Sequence, residues 1–574
     1  MLSCGAMGTQ EPGSRTPPPS RAWRALCLAA AASFALLALD AGRTETPTID
    51  EFAHLPSGHA ILAHGALDLY AKNPPLGKAL LALPGWLRGD VRVPIPRESA
   101  FGWGPWQYGR RFMQANAPRY FEIFADARAV VTALVLAAAS LVFFWARSLF
   151  DERSAAISTS LFLLSPTLLA HGHLATLDVA CMTTLLASVL ALRQAYRDDA
   201  ADGARGLWRI AAAGVVWGVA LLVKFTAVLL VPVWIGLVAW ERRRRWRRGL
   251  AELALLGAVG LAVVNAGMGF RGSFSPLGEY RLGSDFGLAV QRALPGALPL
   301  PLPLDYVRGF DAQKRDVERA EFPAYLRGEW AREGWWYYEA AALAVKTPLS
   351  LLAILALTPW ALRRRFAPRR EIIYLLLPPL VLGVLLTGLN QLNVGIRYLL
   401  PLYPFAFVAT AALWSAGGRA GRWIGVALVC LYAASAIHRH PAYLTYFNPL
   451  AGGPEGGHRW LLDSNLDWGQ DLYRLGPALE RMDPSDPVHL LYFGHVDPAL
   501  YEIDFQVAPD RPVRGIVAAS VTYLQGFAYP AVGPEGRPAR VRPGHLDWLR
   551  GREPSAKLGS IWLFDTRSDE VQAP

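Results

Sequence analysis

Thr48-Ile49-Asp50-Glu51-Phe52-Ala53-His54, followed by Asn73-Pro74-Pro75-Leu76-Gly77-Lys78, puts two acids, an imidazole and an ammonium into a loop between two very apolar segments. Adjacent acids in a loop are ordinarily solvated surface. Here the loop starts just after a run of apolar residues ending near residue 40, so the acids sit at a membrane boundary. An ionisable group in that position is expensive unless it snorkels, pairs or works. His54 lies one helical turn beyond Asp50, and Lys78 follows a stiff Pro-Pro.

The rest of the chain fits that setting. Of its 574 residues 53% are hydrophobic and only 18% charged, and the mean hydropathy is +0.23, too apolar for an ordinary soluble multidomain protein. The net charge of +11 comes from arginine clusters between apolar runs, as in Arg242 to Arg248 and Arg363 to Arg370. Cytoplasmic loops of membrane proteins have this pattern, and it argues against nucleic acid as a partner. The four cysteines form no CxxC pair, so neither a disulfide framework nor a zinc ribbon is expected.

Apolar runs of roughly membrane-crossing length occur near residues 22–40, 127–146, 154–170, 174–194, 208–223, 225–240, 250–268, 340–361, 371–388, 396–414 and 421–437. Continuous runs without a period of two mean helices rather than a barrel. The expected fold is an all-α polytopic membrane protein of about eleven transmembrane helices, occupying 22–438 behind a disordered cytoplasmic tail, 1–21. With the amino terminus inside, Arg147/Arg153, Arg193/Arg197/Arg209, Arg242 to Arg248, Arg363 to Arg370 and Arg419/Arg422 all fall on the cytoplasmic side. That orientation leaves loops 41–126 and 269–339 outside, together with residues 439–574. The last segment reads as a small α/β domain, with strand-like runs Leu490–Phe493, Gly515–Ser520 and Ser560–Phe564. The aromatics Trp103, Trp106 and Tyr108, and Trp335 to Tyr338, read as an interfacial belt.

Further ionisable residues recur on the same outer side. Asp178 closes the hairpin His171-Gly-His173-Leu-Ala-Thr-Leu-Asp178, where it either pairs locally with His173 or converges on the Asp50 loop. Lys224, Lys346 and Arg397 lie at or just inside span ends. One such cation is explained by snorkelling; several facing a cavity suit an anionic headgroup, and arginine is matched to phosphate by its fork. Glu51 and His54, three apart, would both reach a divalent ion if this stretch is helical, but no further cluster completes a coordination shell. A divalent metal is thus a possible cofactor and none is required.

At these residues the chain resembles the GT-C superfamily of membrane glycosyltransferases, in particular the protein O-mannosyltransferase and aminoarabinose-transferase-like group. Asp50-Glu51 with His54, then Pro74-Pro75-Leu76 and Lys78, is similar to that group's first-loop pattern, with Asn73 where the mannosyltransferases commonly have His. Leu177-Asp178 resembles their second acidic motif, and Asn393-Val-Gly-Ile-Arg397-Tyr-Leu-Leu-Pro401 a late-span motif of bacterial members. Tyr446 to Gly453 and Asp463-Ser-Asn-Leu-Asp467-Trp-Gly-Gln-Asp471 look similar to a bacterial branch. The chain lacks the β-trefoil-type insert of the eukaryotic protein mannosyltransferases.

Nucleotide sugars are cytosolic, so acids on the outer face call for a donor delivered through the bilayer, which a polyprenyl-phosphate sugar meets. The expected acceptor is an envelope glycan, lipid or protein. Asp50 is the expected general base, with Glu51 or Asp178 orienting the acceptor or holding a metal, and Lys78, Lys224 or Arg397 balancing the donor phosphate. The resemblance implies inversion at the anomeric carbon. The rival reading is a transporter or flippase of lipid-linked precursors, which would place charges near the midplane in repeated halves; here they gather at one face.

Overall fold

The computed structural model describes residues 21–98, 104–197, 203–320, 322–365, 369–388, 392–393, 395–482 and 488–568. Trp103 and the tail expected to be disordered, up to residue 20, lie outside them. Helices dominate as far as residue 439: α1 (Arg21–Thr44), α2 (Ile49–His64), α3 (Pro75–Arg88), α4 (Gly104–Ala115), α5 (Tyr120–Leu149), α6 (Glu152–Leu163), α7 (Pro166–His171), α8 (Asp178–Arg197) and α9 (Ala204–Val223). They continue as α10 (Val231–Glu241), α11 (Trp246–Gly267), α12 (Asp285–Ala293), α13 (Leu304–Glu318), α14 (Tyr338–Lys346), α15 (Leu349–Arg365), α16 (Arg369–Gly388), α17 (Tyr403–Ala416) and α18 (Gly418–Arg439).

Among the described residues eight helices are long and apolar enough to cross a membrane, or nine if the bent pair α14–α15 is one span. The chain is an integral membrane protein. The other expected spans are broken, and proline marks each break. The run 154–170 splits into α6 and α7 at Ser165-Pro166, and 225–240 opens as a 3₁₀ stretch, Phe225–Leu230, before Pro232 starts α10. The run 340–361, expected to be one helix, turns by 116° between α14 and α15. Pro348 lacks an N–H and forces Thr347 out of the helical region, to φ −99°, ψ 135°.

Helix α8 packs on α9 and α9 on α11, while α5 and α17 flank α6. At one end of the bundle, ion pairs lace the helices together: Arg242 and Arg248 on Glu252, Arg193 on Glu371, and Arg370 on Glu241. The loop between α1 and α5 folds over the other end. There α2 and α3 approach so closely that a Cβ on Gly58 would lie 2.1 Å from the Lys78 carbonyl oxygen. Trp106 and Tyr108 turn inward instead of forming a belt. Trp106 packs against Tyr70, and the Tyr108 hydroxyl donates to the Pro94 carbonyl. Trp336, by contrast, is 83% exposed.

Beyond α18 the chain changes class. After a short hairpin earlier in the chain, β1 (Ala324–Leu326) with β2 (Glu329–Ala331), come β3 (Val488–Leu491), β4 (Gln506–Val507), β5 (Ile516–Ser520), β6 (Ala531–Val532), β7 (Pro538–Ala539), β8 (Ala556–Leu558) and β9 (Ile561–Asp565). Five of them form a mixed sheet in the order β4-β3-β5-β9-β8, parallel from β4 to β5 and antiparallel beyond. Its central strand β5 is buried along its whole length, which explains why it reads as an unbroken apolar run. The three runs read as strands thus form the middle of this sheet.

Candidate active site

Four charged side chains meet where the helix ends converge beneath the C-terminal region. Asp50 stands in the first turn of α2 and Asp178 opens α8, so each carboxylate sits at a positive helix terminus. Lys224 follows α9, and Arg397 lies in the 3₁₀ stretch Ile396–Leu402 that leads into α17. Arg397 Nη1 donates to Asp50 Oδ2 at 2.5 Å and lies 3.6 Å from Asp178 Oδ2; Lys224 Nζ donates to Asp178 Oδ1 at 2.5 Å. Two anions and two cations therefore alternate along one chain of ion pairs, and Asp178, Lys224 and Arg397 line a small pocket together with Thr226 and Tyr398. Arg397 Nε is buried with no partner among the described residues, so the guanidinium keeps a spare donor. Asp50 is the most open of the four, its side chain 22% exposed.

Other expected site residues lie elsewhere. Glu51 is fully buried and bound by Arg128, whose Nε and Nη2 donate to its two oxygens at 2.7 Å each. The Ala175 and Thr48 amides add bonds of 2.6 and 2.8 Å. Burial opposes the charge, yet Arg128 and these amides hold its pKa below the ordinary carboxylate value. A carboxylate so saturated has no lone pair to spare for a metal or an acceptor, so the Glu51–His54 metal pair is not formed although the stretch is helical. Among the described residues no group of three or more His, Cys, Asp or Glu side chains could hold a metal ion.

Lys78 is engaged in the same way. It is wholly buried and donates to the Tyr70 and Asn73 carbonyls at 2.5 and 2.8 Å, pinning the loop before α3, and burial lowers its pKa to about 7. Lys346 likewise donates to the Leu444 and Asn465 carbonyls, at 2.7 and 2.6 Å. His173 pairs with Glu45 at 2.9 Å, leaving Asp178 to the Lys224–Arg397 cluster. His54 is buried against Tyr70 with neither ring nitrogen bonded, and burial lowers its pKa to about 4, so it is neutral near pH 7.

The contribution missed from sequence comes from the loop Asp463 to Asp471. The Trp468 ring lies under the Arg397 guanidinium, 4.3 Å from its centroid, and the Trp468 carbonyl accepts from the Ile49 amide at 3.2 Å, beside Asp50. Asn465 Oδ1 accepts from the Ile396 amide at 3.0 Å, beside Arg397. The signal was present, in a tryptophan set among acids and amides. What was absent was any local reason to place that motif against residues about 70 and 420 positions away in the chain.

Asp467 anchors the loop to the sheet by accepting from the Thr522 amide at 3.1 Å, and burial pushes its pKa up to about 7. Folding then takes up a proton between about pH 4 and 7. The stabilisation is complete below about pH 4 and is lost as pH rises through 7. Asp467→Asn is expected to flatten this part of the pH–stability profile followed by tryptophan fluorescence; an unchanged slope would exclude Asp467 as its source.

Residues 123–267, which include Asp178 and Lys224, match the model of the dolichyl-phosphate-mannose-protein mannosyltransferase family. The matched segment is about a quarter of the chain. It runs from α5 to α11, and Asp50 and Arg397 join it from either side. No curated protein matches the chain. Similar solved structures include ArnT from Cupriavidus metallidurans bound to undecaprenyl phosphate, with 14% identity, a TM-score of 0.49, and 95% of this chain and 98% of that one covered. Another is the oligosaccharyltransferase AglB from Archaeoglobus fulgidus, with 12% identity, a TM-score of 0.45, and coverage of 91% and 75%.

Proposed function

We propose that this protein is a membrane glycosyltransferase that moves a sugar from a polyprenyl-phosphate carrier to a hydroxyl of an extracytoplasmic glycan, lipid or protein, with inversion. The observation that carries the reading is the alternating Asp50–Arg397–Asp178–Lys224 cluster at one end of the bundle. Arginine counting puts that end outside, where nucleotide sugars are absent and a lipid must bring the donor. On donor binding the phosphate draws Arg397 and Lys224 toward itself, and their charge stabilises the leaving phosphate as the glycosidic bond breaks. Asp50, released from Arg397, takes the proton of the attacking hydroxyl. One displacement from the face opposite the phosphate inverts the anomeric carbon. Asp178 keeps both cations in place between turnovers.

The test separates the cations. Arg397→Lys and Lys224→Met should each weaken binding of undecaprenyl phosphate about tenfold, since a charge-assisted bond contributes roughly 1.5–3 kcal/mol. Lys78→Met should leave that binding unchanged per folded molecule and lower the melting temperature instead. Equal binding loss in all three would count against this assignment. A cytoplasmic signal from a reporter fused after residue 450 would remove the argument for a lipid-borne donor.

A further inference from the structure

Resting on the glycosyl-transfer reading, we propose that Asp463 binds hydroxyl groups of the sugar carried by the donor, so that the C-terminal region supplies the sugar-recognising wall of the active site. The loop bearing Asp463 is fastened to the backbone that carries Arg397. Besides the Asn465–Ile396 bond, Ser464 packs so tightly on this backbone that a Cβ on Gly395 would lie 2.4 Å from Ser464 Oγ. Asn465 Nδ2 also donates to the Tyr338 hydroxyl at 3.0 Å, and Lys346 holds the Asn465 carbonyl. The anchoring is strong enough to keep Asp463 in the left-handed region, at φ 54°.

Within this frame Asp463 Oδ1 accepts from the Ser464 amide at 2.5 Å and the Ser464 side chain also bonds the carboxylate, whose four lone-pair sites leave it capacity for a further donor. The carboxylate interacts electrostatically with both Arg397 and Asp50, yet forms an ion pair with neither cation of the cluster. Burial, reinforced by Asp50, pushes its pKa up to about 6 against the pull of Arg397. Charge then decides what it faces. Asp50 and Asp178 already balance Lys224 and Arg397, and a third carboxylate would repel the donor phosphate. Its partner is therefore a neutral hydrogen-bond donor close to that phosphate. In a polyprenyl-phosphate sugar the groups of this kind are the sugar hydroxyls, and a carboxylate accepts strongly from them.

The experiment compares a bare and a sugar-bearing lipid on the full chain in nanodiscs. The probes are undecaprenyl phosphate and its mannosyl, glucosyl, galactosyl and N-acetylglucosaminyl derivatives. Asp463→Asn, which suits the left-handed backbone, should leave affinity for the bare lipid within about twofold. It should weaken the sugar lipid that the wild type holds best by about tenfold. Asp463→Gly, still better suited to that backbone, should show the same loss and thereby exclude misfolding as its cause. Equal weakening of bare and sugar-bearing lipid, or no change in either, would overturn the role of Asp463. A wild type that holds no sugar lipid more tightly than the bare one would overturn the sugar subsite itself. A wild type that binds none of the lipids, bare or substituted, would instead overturn the donor assignment on which the subsite rests.

Discussion

Asp50→Asn should lower sugar transfer by about 10² to 10⁴, the usual contribution of a general base, while leaving the protein folded. Asparagine keeps the shape and can still accept from Arg397 through its amide oxygen, so the 2.5 Å contact that ties α2 to the 3₁₀ stretch Ile396–Leu402 survives in weakened form. What is lost is the ability to take a proton. The isosteric change therefore separates chemistry from architecture, which alanine would not. Transfer is measured from a labelled polyprenyl-phosphate sugar in membranes, with binding of undecaprenyl phosphate measured in parallel. The expected pattern is a collapsed rate with near-normal lipid affinity, because the phosphate is held by Arg397 and Lys224. A variant that retains a tenth or more of the wild-type rate would remove Asp50 as the base. A rate that falls only in proportion to lipid affinity would make Asp50 a positioning partner of Arg397.

The membrane-spanning architecture was legible because it rests on local quantities. Run length, absence of a two-residue period and the placing of arginines each depend on a few adjacent residues, and eight of the expected spans appear as continuous helical segments, one of them, 396–416, opening as 3₁₀. The errors fall at prolines inside apolar runs: Pro166, Pro232 and Pro348 leave hydropathy high while removing the N–H on which continuity depends.

The site was legible in its residue types and less so in their division. Asp50, Asp178, Lys224 and Arg397 do meet, whereas Glu51 and Lys78, equally prominent in sequence, are consumed by partners that no local pattern announces. Glu51 is claimed by Arg128, 77 positions away, and Lys78 by carbonyls of its own loop. Spacing shows that a charged side chain is near a site. Only packing shows whether its hydrogen-bonding capacity is already taken.

Glu51→Gln should therefore act on stability far more than on chemistry. The carboxylate is fully buried and joins three pieces of chain: its own helix through Thr48, α5 through Arg128, and the turn before α8 through the Ala175 amide. Arg128 in turn donates to the Gly42, Glu45 and Thr46 carbonyls, at 3.0, 2.6 and 3.2 Å, so the pair organises the whole connection between α1 and α2. Removing one partner leaves a guanidinium charge buried without compensation, at a cost of about 3–5 kcal/mol, against a total stability of about 5–15 kcal/mol for a typical protein. The purified variant should show a large fall in melting temperature in detergent, and its remaining folded fraction should transfer sugar at a rate close to that of the wild type. Adding Arg128→Met removes the orphaned charge and should recover part of the loss, the non-additivity expected of a coupled pair. If Glu51→Gln instead melts like the wild type and is inactive, Glu51 belongs to the chemistry alongside Asp50.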